Sequence, residues 1–338
     1  MKSVFLSFVI LLSTALDSSA QNATNTKWWN PATHEFGVVE GQLWGGEVES
    51  PYDRLPLRAK DKVRSPVWGL SKHAAGLMIR FRSNASEIKV RYQVSGNHAM
   101  PHMPATGVSG VDLYAIDSDG QWHWARGRWS FRDTIAYHFP GLKPNDQYHQ
   151  EGREYRLYLP LYNQVKWMEI GVSDSALFTP LPIRMEKPIV VYGTSIAQGA
   201  CASRPGMAWT SILGRKLDRP VINLAFSGNG RLEEELTDLL IEARPKVFIL
   251  DCLPNLVNAE QYGEEELTKR ILKSVRKLRK AHPSVPILLS DHAGYTDGGI
   301  VPGRQDAYER VNQIQQRAFQ MLKIEGQRGI FYITKDAL

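Results

Sequence analysis

Two hydrophobic periods divide the chain. From about residue 36 to 183, apolar and polar positions alternate. "AGLMIRFRS" (75–83), "SEIKVRYQV" (86–94), "VDLYAID" (111–117), "EYRLYLPLY" (154–162) and "VKWMEIGVS" (165–173) are rich in Val, Ile, Tyr and Trp and are separated by turn residues such as "SDG" and "KPND". No helical stripe interrupts them, so this half predicts an antiparallel β-sandwich over residues 24–183. "TPLPIRMEKP" (179–188), with three prolines, marks the change of regime. Beyond it the apolar runs become uniform: "PIVVY" (188–192), "PVINLA" (220–225), "KVFIL" (246–250), "PILLS" (286–290) and "IFYI" (330–333). Helical stripes lie between them, among them Leu232, Leu236, Leu239, Leu240 and later Val311, Ile314, Ala318, Met321, Leu322. Uniformly apolar strands alternating with helices predict a parallel sheet covered on both faces. Residues 186–338 should therefore form a three-layer α/β domain with five parallel strands and four helical connections.

Functional groups in such a sheet gather beyond the carboxyl ends of the strands. The first strand ends in Gly193-Thr194-Ser195, the second in "NLAFSGNG" with Gly228 and Gly230, the third in "LDCLPN" with Asn255, and the fourth in "SDHAGY" with Asp291 and His292. A nucleophile, a glycine turn with free backbone donors and a carboxamide are the parts of an acyl-transfer site. Each has a plainer reading alone: Gly-Thr-Ser after a strand is a common helix cap, and the glycines and "PN" are ordinary turn residues. Ser195 also lies outside the Gly-x-Ser-x-Gly elbow, because position 197 is alanine. Their joint occurrence in this order favours the chemical reading.

"YGTSIAQG", "NLAFSGNG" and "LDCLPN" resemble the first three blocks of the SGNH (GDSL-like) hydrolases, with Gly-Thr-Ser in place of the usual Gly-Asp-Ser as in one branch. "GVDLY" (110–114) resembles the GxDLY motif of the sandwich domain joined to that branch, so the resemblance covers nearly the whole mature chain. It implies a flavodoxin-like sheet and an esterase of acyl groups, acetyl foremost, on a small-molecule or glycan substrate. It implies Ser195 as nucleophile, with an oxyanion hole made by the Ser195 and Gly228 backbone N–H groups and the Asn255 carboxamide. No metal or cofactor is expected. The family's last block is an Asp-x-x-His after the fifth strand, which does not occur here: the chain reads "IFYITKDAL" from Ile330 to Leu338. In this half only His282 and His292 remain, and His282 precedes the fourth strand, at the wrong end of the sheet. Three readings stand open: a C-terminally incomplete hydrolase, His292 as a replacement base, or a catalytically silent relative that binds glycans.

Other residues join the candidate site. Cys201 and Cys252 flank it and could pair in a disulfide, two buried thiols being the alternative. Arg204 follows Ser195 closely and is a candidate for holding a polar substrate group. "GNHAMPHMPATG" (96–107), with His98 and His102, is expected to lean over the cleft from the sandwich half rather than to bind metal. Trp28 and Trp29 in "KWWNP" could form a sugar platform or cover a domain seam.

Composition narrows the class. Of 338 residues 43% are apolar and 22% charged, a globular balance, and 41 basic against 35 acidic residues give a formal charge of +6. The densest basic run, "KRILKSVRKLRK" (269–280), carries Ile271, Leu272, Val275 and Leu278 at helical spacing. It therefore reads as the wet face of an amphipathic helix; no aromatics interleave, and no nucleic-acid partner is expected. Residues 1–20 read as a secretory signal: Lys2, then "VFLSFVILLSTAL", then "SSA" before Gln21. The mature protein is expected to be exported, periplasmic or extracellular, with no integral membrane segment once the signal is removed.

Overall fold

A computed structural model describes residues 25–144 and 149–338; the expected secretory signal and part of the "KPND" turn lie outside them. The alternating half forms two antiparallel sheets. One has the order Thr26–Trp29, Val165–Ser173, Glu87–Val94, Ile135–Pro140, Arg128–Ser130. The other has the order Phe178–Pro180, Met78–Ser83, Arg153–Tyr158, Asp112–Ile116, Trp122–Trp124, with Val39–Glu40 also paired to Met78–Ser83. Alternation does the sorting: Ile88, Val90 and Tyr92 are buried, while Lys89, Arg91 and Gln93 between them are not. The inward residues of both sheets meet in one core with Leu113, Tyr155, Leu157 and Met168.

The second half is a five-stranded parallel sheet of Ile189–Gly193, Val221–Ala225, Val247–Asp251, Ile287–Ser290 and Ile330–Ile333. The strand order is second, first, third, fourth, fifth, the flavodoxin-like order. Helices Glu234–Leu240, Glu264–Ala281 and Arg304–Ile324 cover one face, contributing Leu236, Leu267, Ile271, Val311 and Ile314 to the larger core. Helices Ser195–Gln198 and Trp209–Lys216 lie over the other face, beside Val191, Val221 and Ala225. The basic run lies in Glu264–Ala281 with its four apolar residues buried, and Lys273 and Lys277 pair with Glu234. No helix among the described residues is long and apolar enough to cross a membrane.

One segment escaped the period-two reading. Between Glu40 and Met78 the chain leaves the sandwich, forms a helix over Ser65–Ser71 and packs Trp44, Leu55, Ala59, Val63 and Val67 into the large core of the parallel sheet. The excursion is fastened by Arg54, which is 1% exposed. Its guanidinium donates to the carbonyls of Leu70 (2.7 Å) and His73 (2.8 Å) in its own segment, and to Asn223 (2.9 Å) and Ala225 (2.8 Å) on the second parallel strand. A buried cation costs several kcal/mol unless its donors are used, and here four carbonyl bonds use them.

Candidate active site

Gly193, Ala225 and Asp251 are register partners, so the first three parallel strands end side by side. Ser195 is the first residue of a four-residue helix after the first of them and is half-buried. The plain capping role fails here: Thr194 at the cap makes no side-chain bond to the helix, and its buried Oγ1 has no partner. The backbone N–H groups of Ser195 and Gly228 enter none of the backbone hydrogen bonds of the fold among the described residues. Gly228 sits in the left-handed region at φ 69°, which a glycine adopts without strain. Asn255 Oδ1 accepts from the Gly230 N–H at 3.0 Å. Because a backbone N–H can only donate, this bond orients the carboxamide and leaves its N–H groups free. Gly230 itself must lack a side chain, since a Cβ there would stand 2.1 Å from the Gly193 carbonyl oxygen. Ser195, Gly228 and Asn255 thus follow three neighbouring strand ends, with the Ser195 and Gly228 N–H groups outside the backbone bonding of the fold.

Ser195 opens into a cleft of about 810 Å³. Its wall includes Ser195, Ile196 and Cys201 from the first connection, Ser227 and Asn229 from the second strand end, Met100 and His102 from the sandwich, and Leu70 and His73 from the excursion. His102 is exposed in a tight turn closed by the paired bonds of Met100 and Met103. Tyr162 OH donates to the Ser195 carbonyl at 3.3 Å.

His73 was not identified from sequence. Its Nδ1 lies 3.2 Å from Gln198 Nε2. Gln198, fully buried, also donates to the Leu161 carbonyl at 3.1 Å and accepts from the Ser227 N–H at 2.9 Å. This one amide joins the serine's helix, the second strand end and the sandwich. Burial first, then the nearby Arg54 charge, lowers the His73 pKa to about 4. Nothing in "GLSKHAAG" signals this placement; the available hint was Gln198, a polar residue one turn after Ser195 where the helix meets the core.

Several expected members are held elsewhere. Arg204 stacks on Trp124 at 4.4 Å and pairs with Asp112 at 3.4 Å, away from the cleft wall. Asp112, of the "GVDLY" motif and 1% exposed, also accepts from Trp124 Nε1 (2.6 Å) and the Gly206 N–H (3.1 Å), so the motif clamps the loop after Ser195 onto the sandwich. His292 is 1% exposed, against the rings of Tyr295 (4.4 Å) and Tyr308 (5.6 Å). Its Nδ1 accepts from the Gly294 N–H at 2.9 Å and its Nε2 has no partner, so it does not reach Ser195 as a base or as a substrate ligand. Adjacent Asp291 is spent on Tyr332 and on the Lys335 N–H. The cysteines are free thiols rather than a disulfide. Cys201 is exposed on the cleft wall, whereas Cys252 points into the large core and donates to the Tyr192 carbonyl at 3.6 Å. Trp28 lies under Arg91 (4.0 Å) and Trp29 against Phe178 (5.3 Å), both on the sandwich.

Comparison with known proteins follows the same division. Residues 26–178 match the family model for the GxDLY N-terminus of SGNH-hydrolase-type esterases. Residues 186–338 match that of the GDSL-like lipase/acylhydrolase family. No curated protein matches the chain. Among solved structures, a protein from Bacteroides ovatus ATCC 8483 described as a GDSL-like lipase superposes with a TM-score of 0.81 at 29% identity, over 92% of this chain and 87% of that one. A salicylyl acyltransferase from a tetracycline biosynthetic pathway superposes with a TM-score of 0.68 at 17% identity, over 92% of this chain and 85% of its own, a likeness of fold.

Proposed function

Because the chain belongs to the GDSL-like lipase and acylhydrolase family over residues 186–338, behind a GxDLY N-terminal domain, we infer that it is a serine esterase with Ser195 as nucleophile. What supports this reading is that Ser195, Gly228 and Asn255 follow three adjoining strand ends, that the Ser195 and Gly228 N–H groups lie outside the backbone bonding of the fold, and that the Gly230 N–H orients the Asn255 carboxamide. An alkoxide forming on the attacked carbonyl would meet donors already in place, and one such donor is worth roughly 3 to 4 kcal/mol of barrier. Gln198 and Asn255 keep this geometry fixed through bonds to backbone N–H groups.

Proton removal needs a base. His292 is sealed away from the serine, and His73 has its Nδ1 lone pair engaged by Gln198. The reading therefore assigns the base to an Asp-x-x-His pair of the family pattern rather than to His73 or His292. The finer reading is a short acyl group, acetyl foremost, on an oxygen-rich alcohol such as a carbohydrate. The cleft lining is mixed, with His73, His102, Ser227 and Asn229 beside Pro66, Leu70, Met100, Ile196 and Ala200, so the short-acyl reading rests on the family pattern. Export to the periplasm or the medium is proposed from the charged and apolar pattern of residues 1–20.

Hydrolysis of p-nitrophenyl acetate tests the reading, measured on this chain and on one continued through an Asp-x-x-His pair. The expected outcome is slow turnover by the first and turnover faster by orders of magnitude by the second, with Ser195→Ala returning the second to the background rate. Full activity of the present chain that disappears in His102→Ala would move the base to the cleft rim. Binding of acetylated glycans by both chains without turnover would leave a glycan-binding protein.

A further inference from the structure

The cleft wall holds one imidazole whose proton the fold assigns. The Ser227 N–H can only donate, so the Gln198 oxygen must face it, at 2.9 Å. The Gln198 nitrogen then faces two acceptors, the Leu161 carbonyl at 3.1 Å and His73 Nδ1 at 3.2 Å. That nitrogen carries two hydrogens and donates both. His73 Nδ1 therefore bears a lone pair, and the ring proton sits on Nε2. Protonating the ring would set two donors against each other, and burial with the Arg54 charge holds the pKa at about 4, so the ring stays neutral near pH 7. Nε2 is not among the buried polar atoms without partners, and the residue lines the same cleft as Ser195. A neutral Nε2–H cannot accept the serine proton; it can only donate.

We propose that His73 is a substrate-recognition residue. Its Nε2–H donates to an acceptor oxygen that the ester carries outside its reacting carbonyl, and so selects esters of oxygen-rich alcohols, carbohydrates foremost, over esters of hydrocarbon alcohols. The assignment rests on the esterase reading above and adds to it a residue from outside the parallel-sheet half. The preference is physical: a fixed donor covered by a hydrocarbon loses its water and gains nothing, whereas an ether, ester or hydroxyl oxygen replaces that water. Arg54 and Gln198 make the donor rigid, one through the His73 carbonyl and the other through Nδ1, so little ordering is left to do on binding.

The test has two arms. In the first, Ser195→Ala protein with ¹⁵N-labelled histidine is followed by NMR, which needs no turnover. His73 should appear as the single Nε2–H tautomer from pH 8 to about 5. Its Nε2–H resonance should move on addition of glucose pentaacetate and stay in place with cyclohexyl acetate, the ring analogue without spare acceptors. Gln198→Leu should release the ring into both tautomers. A mixture of tautomers in the Ser195→Ala protein, or no response to glucose pentaacetate, overturns the proposal. In the second arm, kcat/KM is compared for glucose pentaacetate and cyclohexyl acetate. His73→Phe should lower the ratio on the order of 10-fold to 100-fold, and His73→Gln, which restores an N–H donor, should recover most of it. An unchanged ratio in a folded His73→Phe protein overturns the proposal. If no protein, including one continued through an Asp-x-x-His pair, hydrolyses any ester, the esterase reading fails, while the NMR arm still decides whether His73 is a ligand-binding donor.

Discussion

His73 and His292 invite comparison because their local chemistry is nearly the same. Each accepts a hydrogen bond on Nδ1, from Gln198 Nε2 in one case and the Gly294 N–H in the other, so each carries its proton on Nε2. Burial is the main cause that lowers each pKa to about 4. They differ in what Nε2 meets. For His73 it is the cleft that Ser195 shares; for His292 it is a closed nest of Tyr295 and Tyr308, where the atom has no partner. His292 is further fixed by Asn312, whose carboxamide both accepts from its N–H (2.8 Å) and donates to its carbonyl (3.0 Å). One ring is arranged for contact and the other for packing. A histidine at a strand end is thus no stronger a site candidate than one delivered by a loop; the environment of its free nitrogen separates the two.

The largest effect that could break this contrast lies under His73. Arg54→Met removes all four carbonyl bonds of the guanidinium and leaves buried acceptors unpaired. Chemical denaturation should show a loss on the order of 4 kcal/mol, and His73 should lose its single tautomer in the NMR experiment. A loss under about 1 kcal/mol would mean that the excursion holds without its fastener.

Acid should then act on both rings. A histidine whose folded pKa lies below 6.5 binds fewer protons folded than unfolded, so stability falls as the pH drops from 6.5 towards 4. A fall to about 4 corresponds to roughly 3 kcal/mol for a fully buried ring. Asp112 and Asp251, both pushed up to about 6 by burial, act in the opposite direction over part of that range, so the readout is a difference between proteins. The gap between wild type and His292→Phe should shift in favour of the variant by roughly 3 kcal/mol between pH 7 and pH 4. His73→Phe should shift it by a comparable amount, because burial lowers that pKa to about 4 as well. A shift under about 1 kcal/mol in either variant would mean that the fold does not hold that ring neutral.

The smallest effect concerns the thiols and costs no stability. Iodoacetamide should modify Cys201 and spare Cys252, whose thiol pKa burial raises well above its ordinary value. Mass spectrometry of the native protein should show one adduct, and the adduct should narrow the cleft beside His73. Two adducts at equal rates would contradict the buried position of Cys252.

Much of the fold was legible because it rests on local periods. The five apolar runs are the five parallel strands, and the period-two runs from Met78 onward fall in the antiparallel sheets. The places of Ser195, Gly228 and Asn255 were legible for a related reason: residues just past strand ends inherit their position from the sheet. The excursion was not legible. Arg54 meets Asn223 and Ala225 across 169 and 171 residues, and Gln198 meets His73 across 125, separations that leave no mark on a sequence window. Cys252 had a signal that strand parity carries: two residues after Leu250, it falls in the same large core. Arg204 had none, since its partners Asp112 and Trp124 come from the other half.

The excursion from Gly41 to Leu77 also bears on how such a gene can be cut and rejoined. A breakpoint between residues 183 and 186 looks clean on paper, because the periodicity changes there. It would nevertheless send Trp44, Leu55, Val63 and Val67 away with the sandwich, although their packing partners stay with the parallel sheet. The fragment starting at residue 186 would have a bare apolar flank, and the other would carry an apolar arm and an arginine with half of its acceptors gone. A hybrid assembled from two relatives would need both halves from one parent along that seam, so the heritable module is the pair.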